Sequence, residues 1–175
     1  EDGSKVITFN GEIYNYQTLR EELIAAGHTF TTKSDTEVLL HGYEQWGVDL
    51  LQRVRGMFTF VIWDKNKQEL FGARDHFGIK PFYYAKMNGT FMYASEIKSL
   101  LRHPDFVKEL NAEALKPYMT FQYPAIGETF CKGVYKLPEG HYFTYRDGKM
   151  DIHRYYDEDF REGKQKLGEL VNSID

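Results

Sequence analysis

The residues best suited to chemistry fall in two short stretches near the start of the chain. Asn10-Gly11-Glu12 closes an apolar stretch, and Ser34-Asp35-Thr36-Glu37 opens a predicted helix. The Asn10 side-chain amide and the Gly11 backbone N–H could stabilise a tetrahedral oxyanion, for which one side-chain donor is worth about 3–4 kcal/mol. The Asp35 carboxylate, held at a helix start, could bind a substrate ammonium group. Together these groups suit the hydrolysis of a small amide.

Each of these residues also has a purely structural interpretation. An Asn-Gly dipeptide often turns the chain at the end of a strand. An acidic residue in the first turn of a helix, such as Asp35, complements the helix dipole by roughly 0.3–1 kcal/mol without any ligand. Glu12 could be a solvated surface carboxylate. Taken one at a time, Asn10-Gly11, Glu12 and Asp35 favour the structural interpretation.

The nucleophile that amide hydrolysis needs is not evident. The only thiol, Cys131, lies far along the chain with no predicted base beside it, and we expect it to be a small buried hydrophobe. Phosphate-binding loops of the G-x-x-x-x-G-K-[ST] or S-G-G-x-D-S type do not occur in the sequence, so no cofactor is predicted. The histidines show no ligand spacing with cysteines or acids, so no metal site is predicted either; they are His28, His41, His76, His103, His141 and His153.

Composition limits the class of protein. With 175 residues, 42% hydrophobic and 16% aromatic, the chain can bury one substantial core. The net charge is −4 and no basic run occurs, which disfavours nucleic acid and anionic membranes as partners. A single cysteine excludes an internal disulfide framework and favours a reducing, cytoplasmic compartment. The start at Glu1, without Met or a signal-peptide pattern, predicts the middle of a longer protein.

Apolar periodicity places both chemical stretches on regular elements. A short strand over Lys5–Phe9 runs into Asn10. An amphipathic helix over residues 16–24 follows. Ser34 and Glu37 match the S-x-x-E capping box, which predicts a second helix that Gly47 ends. A shorter helical piece is expected around residues 50–54.

The rest of the chain is predicted to be rich in β-strands. Helices capped by Ser95 and Asn111 are expected after the hairpin turn at Asn88-Gly89, the second being cut short at Pro117. Arg74-Asp75 is expected to form an internal ion pair that braces the following loop. Strands that pair as hairpins, with helices in blocks, favour an α+β layered domain. The predicted strands cover Met57–Trp63, Glu69–Ala73, Phe82–Lys86, Thr90–Ala94, Gly133–Leu137 and His141–Tyr145.

Five short sequence strings along the chain together carry a family resemblance. The chain, from about Lys5 to about Tyr156, resembles the glutaminase domain of glutamine-hydrolysing asparagine synthetases, which are class II glutamine amidotransferases of the N-terminal-nucleophile (Ntn) hydrolase type. N-G-E and S-D-T-E suit several class II amidotransferases. R-D-x-x-G-x-K-P-x-Y-Y and A-S-E-I-K indicate the asparagine synthetase branch, including β-lactam synthetase-like relatives. The strings lie in Asn10–Tyr16, Ser34–Val38, Arg55–Phe60, Ala73–Tyr84 and Ala94–Lys98.

The resemblance implies a fold, a reaction and roles for four residues. The fold would be an αββα sandwich of two mainly antiparallel sheets, incomplete at its N-terminus. An N-terminal Cys, with its own α-amine as base, would attack the glutamine side-chain amide and release ammonia through a thioester. Asn10 and Gly11 would form the oxyanion hole. Glu12 and Asp35 would contact the amino-acid end of glutamine, with Asp35 on the α-ammonium.

The resemblance also implies parts that this chain does not contain. The Met-Cys-Gly start and the arginine for the glutamine α-carboxylate are not in the sequence, so we expect the chain alone to be catalytically incomplete. Residues 1–156 would be the glutaminase domain, and residues 157–175 a linker toward an ATP- and Mg-dependent synthetase domain that amidates aspartate. An exposed sheet edge could also allow a homodimer.

Two alternatives remain open at this stage. The chain could be an amidotransferase-like module that binds an amino acid or a partner without catalysis. It could also belong with glucosamine-phosphate synthase or the purine-pathway amidotransferases, although these relatives lack the R-D-x-x-G-x-K-P-x-Y-Y string.

Overall fold

A computed structural model describes residues 3–122 and 127–158 of the chain. Its strands are β1 (Lys5–Ile13), β2 (Gly56–Asp64), β3 (Glu69–Arg74), β4 (Tyr83–Met87), β5 (Thr90–Ala94), β6 (Val134–Lys136), β7 (His141–Arg146) and β8 (Lys149–Arg154). Its helices are α1 (Tyr16–Ala25), α2 (Asp35–Trp46), α3 (Ile97–Leu100) and α4 (Ala112–Phe121), with a 3-10 segment over Gly47–Gln52. Most of the predicted linker, from residue 159 onward, lies outside the described residues.

The strands form two antiparallel sheets. The larger sheet has the order β1-β2-β3-β7-β8, and the smaller sheet has the order β5-β4-β6. Every neighbouring pair is antiparallel. This confirms the predicted α+β class.

Three groups of buried side chains show how the layers are stacked. The helices α1 and α2 pack on one face of the larger sheet, where Leu23, Val38 and Phe60 are buried together. The other face of that sheet packs on the smaller sheet through Phe82, Phe143 and their neighbours. The outer face of the smaller sheet packs on α3 and the segment after it. The layer order is therefore helix, sheet, sheet, helix, as the family resemblance implied.

Strand β2 is covered on both faces, as its uninterrupted apolar sequence predicted. Phe58, Phe60 and Ile62 point toward α1 and α2, while Val61 points toward the smaller sheet. All four side chains are buried. The central position of β2 follows from this, because only a strand between two packed layers can bury the side chains on both of its faces. Within the described ranges, no helix is both long and apolar enough to span a bilayer.

Two of the predicted turn and cap signals are present. Asn88 and Gly89 have φ of 49° and 82°, which matches a type I′ turn between β4 and β5. At the start of α2, the Glu37 backbone N–H donates to Ser34 Oγ at 3.3 Å. Here the capping box is only half formed, because the Glu37 carboxylate accepts hydrogen bonds from Thr31 and Thr32.

Strand β1 is longer than predicted. It continues through Asn10 and Gly11 to Ile13 and pairs with β2 over its whole length. Asn10-Gly11 therefore lies inside a strand, and its interpretation as a strand-end turn is wrong. The ladder of hydrogen bonds to β2 holds this dipeptide extended, which outweighs its local preference for a turn.

Other elements differ from the prediction for identifiable reasons. The residue that precedes α3 as its N-cap is Glu96, whose side chain makes no cap hydrogen bond, and the Ser95 hydroxyl accepts a hydrogen bond from Asn10 instead. Helix α4 continues past Pro117 to Phe121, because a proline removes one backbone donor but keeps a helical φ. Strand β8 was not predicted; its side chains are mostly exposed, so it lacks the apolar alternation that marks a half-buried strand.

Arg74 and Asp75 brace the loop over residues 76–81, but not as the predicted ion pair. Within the described ranges these two side chains make no salt bridge with each other, because neighbouring strand residues point to opposite sides. The buried Asp75 carboxylate instead accepts backbone N–H groups from Phe58, Phe77, Ile79 and Lys80. The buried Arg74 guanidinium donates to the carbonyl oxygens of Gly78, Lys80 and Leu137.

The hydrogen bonds that the Glu37 carboxylate accepts from Thr31 and Thr32 generate a testable stability prediction. Burial opposes ionisation, but hydrogen bonds from Thr32 and Thr31 outweigh it and lower the pKa of Glu37 from 4.5 to about 2. A lowered pKa stabilises the fold above the unfolded-state pKa, and this contribution is lost as pH falls through the folded-state pKa. We expect Glu37→Gln to cost about 2 kcal/mol of unfolding free energy at pH 7.

Urea unfolding of both forms between pH 7 and pH 2 measures this effect. The difference between wild type and Glu37→Gln should shrink between about pH 4.5 and pH 2, since the unfolded-state carboxyl group becomes neutral over this range and the folded-state one is about half protonated at pH 2. Glu22→Gln, at an exposed pair with Arg53, is the matched control and should cost little at any pH. If the difference in unfolding free energy stayed constant across the whole pH range, the ionised Glu37 carboxylate would not be what stabilises the fold here.

Candidate active site

Asn10 lines a cleft between the two sheets. The cleft has a volume of about 180 Å³ and is open to solvent. It lies where the inner face of β1 and β2 meets the edge strand β5. Its lining residues are Thr8, Phe9, Asn10, Thr59, Phe60, Val61, Phe82, Tyr93, Ala94 and Ser95.

Two hydrogen bonds cross this cleft from β1 to β5 and the residue after it. Asn10 Nδ2 donates to Ser95 Oγ at 2.9 Å, and Thr8 Oγ1 lies 3.2 Å from Tyr93 Oη. A primary amide carries two N–H groups, so the contact with Ser95 fixes the orientation of the Asn10 amide and leaves a second N–H for a ligand. Ser95 was predicted only as a helix cap, and no local signal connects it with a residue 85 positions earlier.

Gly11 is required by the packing of β1 on β2. A Cβ at this position would lie 2.2 Å from the Met57 carbonyl oxygen and 2.7 Å from Phe58 Cα. Both are backbone atoms of a central strand, which cannot move aside without breaking the ladder. Gly11 is thus needed in this fold whether or not its N–H also binds a ligand.

Asp35 is connected directly to the end of β1. Its Oδ2 accepts the Ile13 backbone N–H at 3.1 Å, and none of the described residues donates to its Oδ1. This places the carboxylate three residues beyond Asn10 along β1. Glu12, between them in sequence, is exposed. The fold therefore brings both predicted chemical stretches to the same end of one strand.

The two stretches do not share one closed pocket. The cleft includes Asn10 but not Gly11, Glu12 or Asp35. The Asn10 side chain faces the smaller sheet, whereas Asp35 comes from the helix layer on the other side. A ligand that touches both must lie across the end of β1.

The backbone spacing between the two positions on β1 is comparable with the length of a small amino acid. At a rise of about 3.3 Å per residue, Asn10 and Ile13 are roughly 10 Å apart. An extended glutamine measures about 6 Å from its α-nitrogen to its side-chain oxygen. Adding a hydrogen bond of about 2.9 Å at each end gives roughly 12 Å, so an extended glutamine is long enough to span three residues of β1.

Cys131 is not part of this site. Its backbone forms an isolated bridge with Leu110, and its side chain is partly buried against the cluster on the outer face of the smaller sheet. The cleft lies on the inner face of that sheet. Among the described lining residues there is also no histidine, lysine or carboxylate that could activate a hydroxyl group. The cleft thus offers a hydrogen-bond donor, the Asn10 amide, but contains no activated nucleophile in the described part of the chain.

Comparison with known proteins identifies the kind of domain. The chain matches the glutamine amidotransferase domain family over residues 1–156. It is 45% identical to "asparagine synthetase (glutamine-hydrolyzing) 1" of Bacillus subtilis strain 168 over 175 residues. It is 44% identical to a putative asparagine synthetase (glutamine-hydrolyzing) of Mycobacterium bovis over 157 residues.

The match covers nearly all of this chain but only part of each relative. It spans 99% of the chain and 28% of the B. subtilis protein, and 86% of the chain and 24% of the M. bovis protein. The chain thus spans less than a third of the length of these relatives. The resemblance stated from the sequence motifs is confirmed for the glutamine amidotransferase portion.

Solved structures confirm the fold. Glutamine phosphoribosylpyrophosphate amidotransferase from B. subtilis superposes with a TM-score of 0.61 at 20% identity, over 90% of this chain and 30% of that one. At this identity the likeness concerns the fold alone. It supports the sandwich of two mainly antiparallel sheets between helices that the sequence resemblance implied.

The close approach at Gly11 generates a second prediction. We expect Gly11→Ala to destabilise the domain by about 2–3 kcal/mol, because its Cβ would overlap the β2 backbone. Urea unfolding monitored by tryptophan fluorescence measures the loss. The control is Gly127→Ala, where a Cβ meets no atom within 4 Å. Equal stability of the two variants would show that β1 and β2 are not packed as described.

Proposed function

Because this chain belongs to the glutamine amidotransferase domain family, we propose that it binds L-glutamine across the end of β1, with the side-chain amide at Asn10 and the α-ammonium at Asp35. The observation that carries this proposal is the Asp35–Ile13 hydrogen bond. It fixes a carboxylate at the end of β1, three residues beyond Asn10 along that strand.

Each predicted residue has a defined part in this proposal. Asp35 Oδ1 accepts a charge-assisted hydrogen bond from the α-ammonium, while Oδ2 stays bonded to Ile13. Glu12 is exposed beside this position and contacts the same amino-acid end. The second N–H of Asn10 and the N–H of Gly11 donate to the side-chain carbonyl oxygen, where negative charge develops during attack.

Ser95 is a positioning residue in this scheme. Its hydroxyl holds one N–H of the Asn10 amide at 2.9 Å, so the other N–H has a fixed direction before the substrate arrives. A donor that is already oriented pays no reorganisation cost when the oxyanion forms. In this proposal, Ser95 of the A-S-E-I-K string orients the Asn10 amide, which is a different role from the helix cap that the sequence predicted.

The proposed reaction yields glutamate and ammonia. A cysteine thiolate attacks the glutamine Cδ, the tetrahedral oxyanion collapses, and the amide nitrogen leaves as ammonia after taking up a proton. Water then hydrolyses the thioester to glutamate and restores the thiol. The family resemblance assigns this thiol to an N-terminal Cys that is not in the sequence. We therefore expect the chain alone to bind glutamine without hydrolysing it.

The larger protein context is also a proposal. The relatives are named as glutamine-hydrolysing asparagine synthetases, so the ammonia would serve an ATP-dependent synthetase domain that amidates aspartate. Residues 157–175 would lead toward that domain.

A non-catalytic module is the second candidate function. It is favoured by one observation, that the described cleft residues include no activated nucleophile or base. Such a module would bind glutamine, or another amino acid, as a sensor or a partner site. The two candidates agree on binding and differ on ammonia release.

Glutamine binding by the chain itself is the first test. Isothermal titration calorimetry should show L-glutamine binding that Asp35→Asn weakens at least about tenfold, since the variant loses the charge but keeps an acceptor for Ile13. Asp49→Asn, which removes an acid from the first turn of the 3-10 segment, should leave the affinity unchanged. Equal affinity of Asp35→Asn and wild type would remove Asp35 from the site.

Ammonia release separates the two candidates. A version extended upstream through the expected Met-Cys-Gly start should release ammonia from glutamine. In that version, we expect Ser95→Ala to lower kcat by about 10- to 100-fold with little change in KM, and Ser95→Thr to restore much of it. Binding without ammonia release would favour the non-catalytic module, and an unchanged kcat in Ser95→Ala would refute the positioning role.

A further inference from the structure

Two histidines and a glutamate meet on the helix side of the larger sheet, away from the cleft. His28 lies in the segment after α1, while His41 and Glu44 occupy α2 at positions i and i+3. One ligand atom from each of the three side chains lies within 4.8 Å of the others. His41 is buried, His28 is partly buried and Glu44 is at the surface, so the cluster is anchored on one side and accessible on the other.

The distances within this cluster suit a small transition-metal ion. Glu44 Oε2 lies 2.9 Å from His41 Nδ1 and 3.8 Å from His28 Nδ1. Ligand atoms bonded at 2.0–2.1 Å to a tetrahedral ion are about 3.3 Å apart. The Glu44–His41 distance is shorter than this value and the Glu44–His28 distance is longer, so an ion would draw the His28 ring toward Glu44.

The outer ring nitrogens of both histidines face acceptors. His28 Nε2 lies 2.9 Å from Gln45 Oε1, and because an amide oxygen only accepts, the ring donates and its Nδ1 carries the lone pair. His41 Nε2 lies 3.7 Å from Glu37 Oε1. Histidines that bind metals commonly donate their other N–H to a hydrogen-bond acceptor, which fixes the ring and its tautomer; His28 has this contact, with Gln45.

We propose that His28, His41 and Glu44 form a binding site for a divalent transition metal, with Zn²⁺ as the ion that their ligand chemistry favours. Two imidazole nitrogens and one carboxylate oxygen are a common zinc ligand set, and water completes the tetrahedron. The ion takes the place of the proton between His41 Nδ1 and Glu44, and that proton moves to His41 Nε2 or to solvent.

Charges around the cluster affect the affinity of this site in opposite directions. The Glu44 carboxylate, which carries a negative charge at neutral pH, attracts a metal ion. Lys5 Nζ lies 3.2 Å from Glu44 Oε1, and its positive charge repels a metal ion bound at Oε2. The Glu44 carboxylate thus favours a bound cation, and the Lys5 ammonium group opposes it.

The histidine spacing along the sequence gives no sign of this site. His28 and His41 are 13 positions apart and come from a loop and a helix, so no short ligand motif connects them. A bound ion would join the segment after α1 to α2, the helix whose first residue is Asp35. This inference is independent of glutamine binding.

Metal titration of the full chain tests the proposal. Calorimetry with Zn²⁺ should show one equivalent bound, with a rise in Tm, and Mg²⁺ should produce neither because it prefers oxygen ligands. Co²⁺ in place of Zn²⁺ should give the visible absorption of a four-coordinate ion. His28→Ala, at a partly exposed loop position, should weaken Zn²⁺ binding at least about tenfold and abolish that absorption.

Matched variants distinguish this site from general histidine binding. His103→Ala, at the surface pair with Asp105, should leave Zn²⁺ affinity unchanged. Lys5→Gln should strengthen binding, because it removes the opposing charge, and Glu44→Gln should weaken it. The proposal is overturned if the chain binds no Zn²⁺, or if His28→Ala and His103→Ala reduce the affinity equally.

Discussion

The hydrogen bond from the Ile13 N–H to the Asp35 carboxylate joins the end of β1 to the start of α2. It depends on β1 extending unbroken along β2 to Ile13, which in turn requires a glycine at position 11. The same extended strand turns the Asn10 side chain toward the smaller sheet and Ser95. One strand thereby orients the Asn10 amide and one helix start orients the Asp35 carboxylate, both toward the same end of β1.

Backbone hydrogen bonds to buried or half-buried charges hold the surroundings of the site in place. Glu37 secures the segment that leads into α2. Arg74 and Asp75 secure the loop after β3 by binding its carbonyl and N–H groups separately. A charged side chain bonded to several backbone groups is far more costly to disrupt than a surface pair. These loops are therefore fixed by polar contacts, while the apolar clusters hold the layers together.

The sequence pattern was sufficient to predict the elements that depend only on residues close together in the chain. The apolar run of β2, the Asn88-Gly89 turn and the Ser34 cap were all predictable, because each depends on residues close in sequence. Pairing across the fold was not predictable in this way. The strand conformation of Asn10-Gly11 comes from β2, and the role of Ser95 comes from a contact 85 residues away. The mostly exposed β8 has too little apolar alternation to be recognised.

A crystal structure of the chain with L-glutamine would test the central claim most directly. The account predicts the α-ammonium within hydrogen-bond distance of Asp35 Oδ1, and the side-chain oxygen within hydrogen-bond distance of Asn10 Nδ2 and the Gly11 N–H. Glutamine bound with its α-ammonium away from the start of α2, or at a place remote from the end of β1, would contradict it.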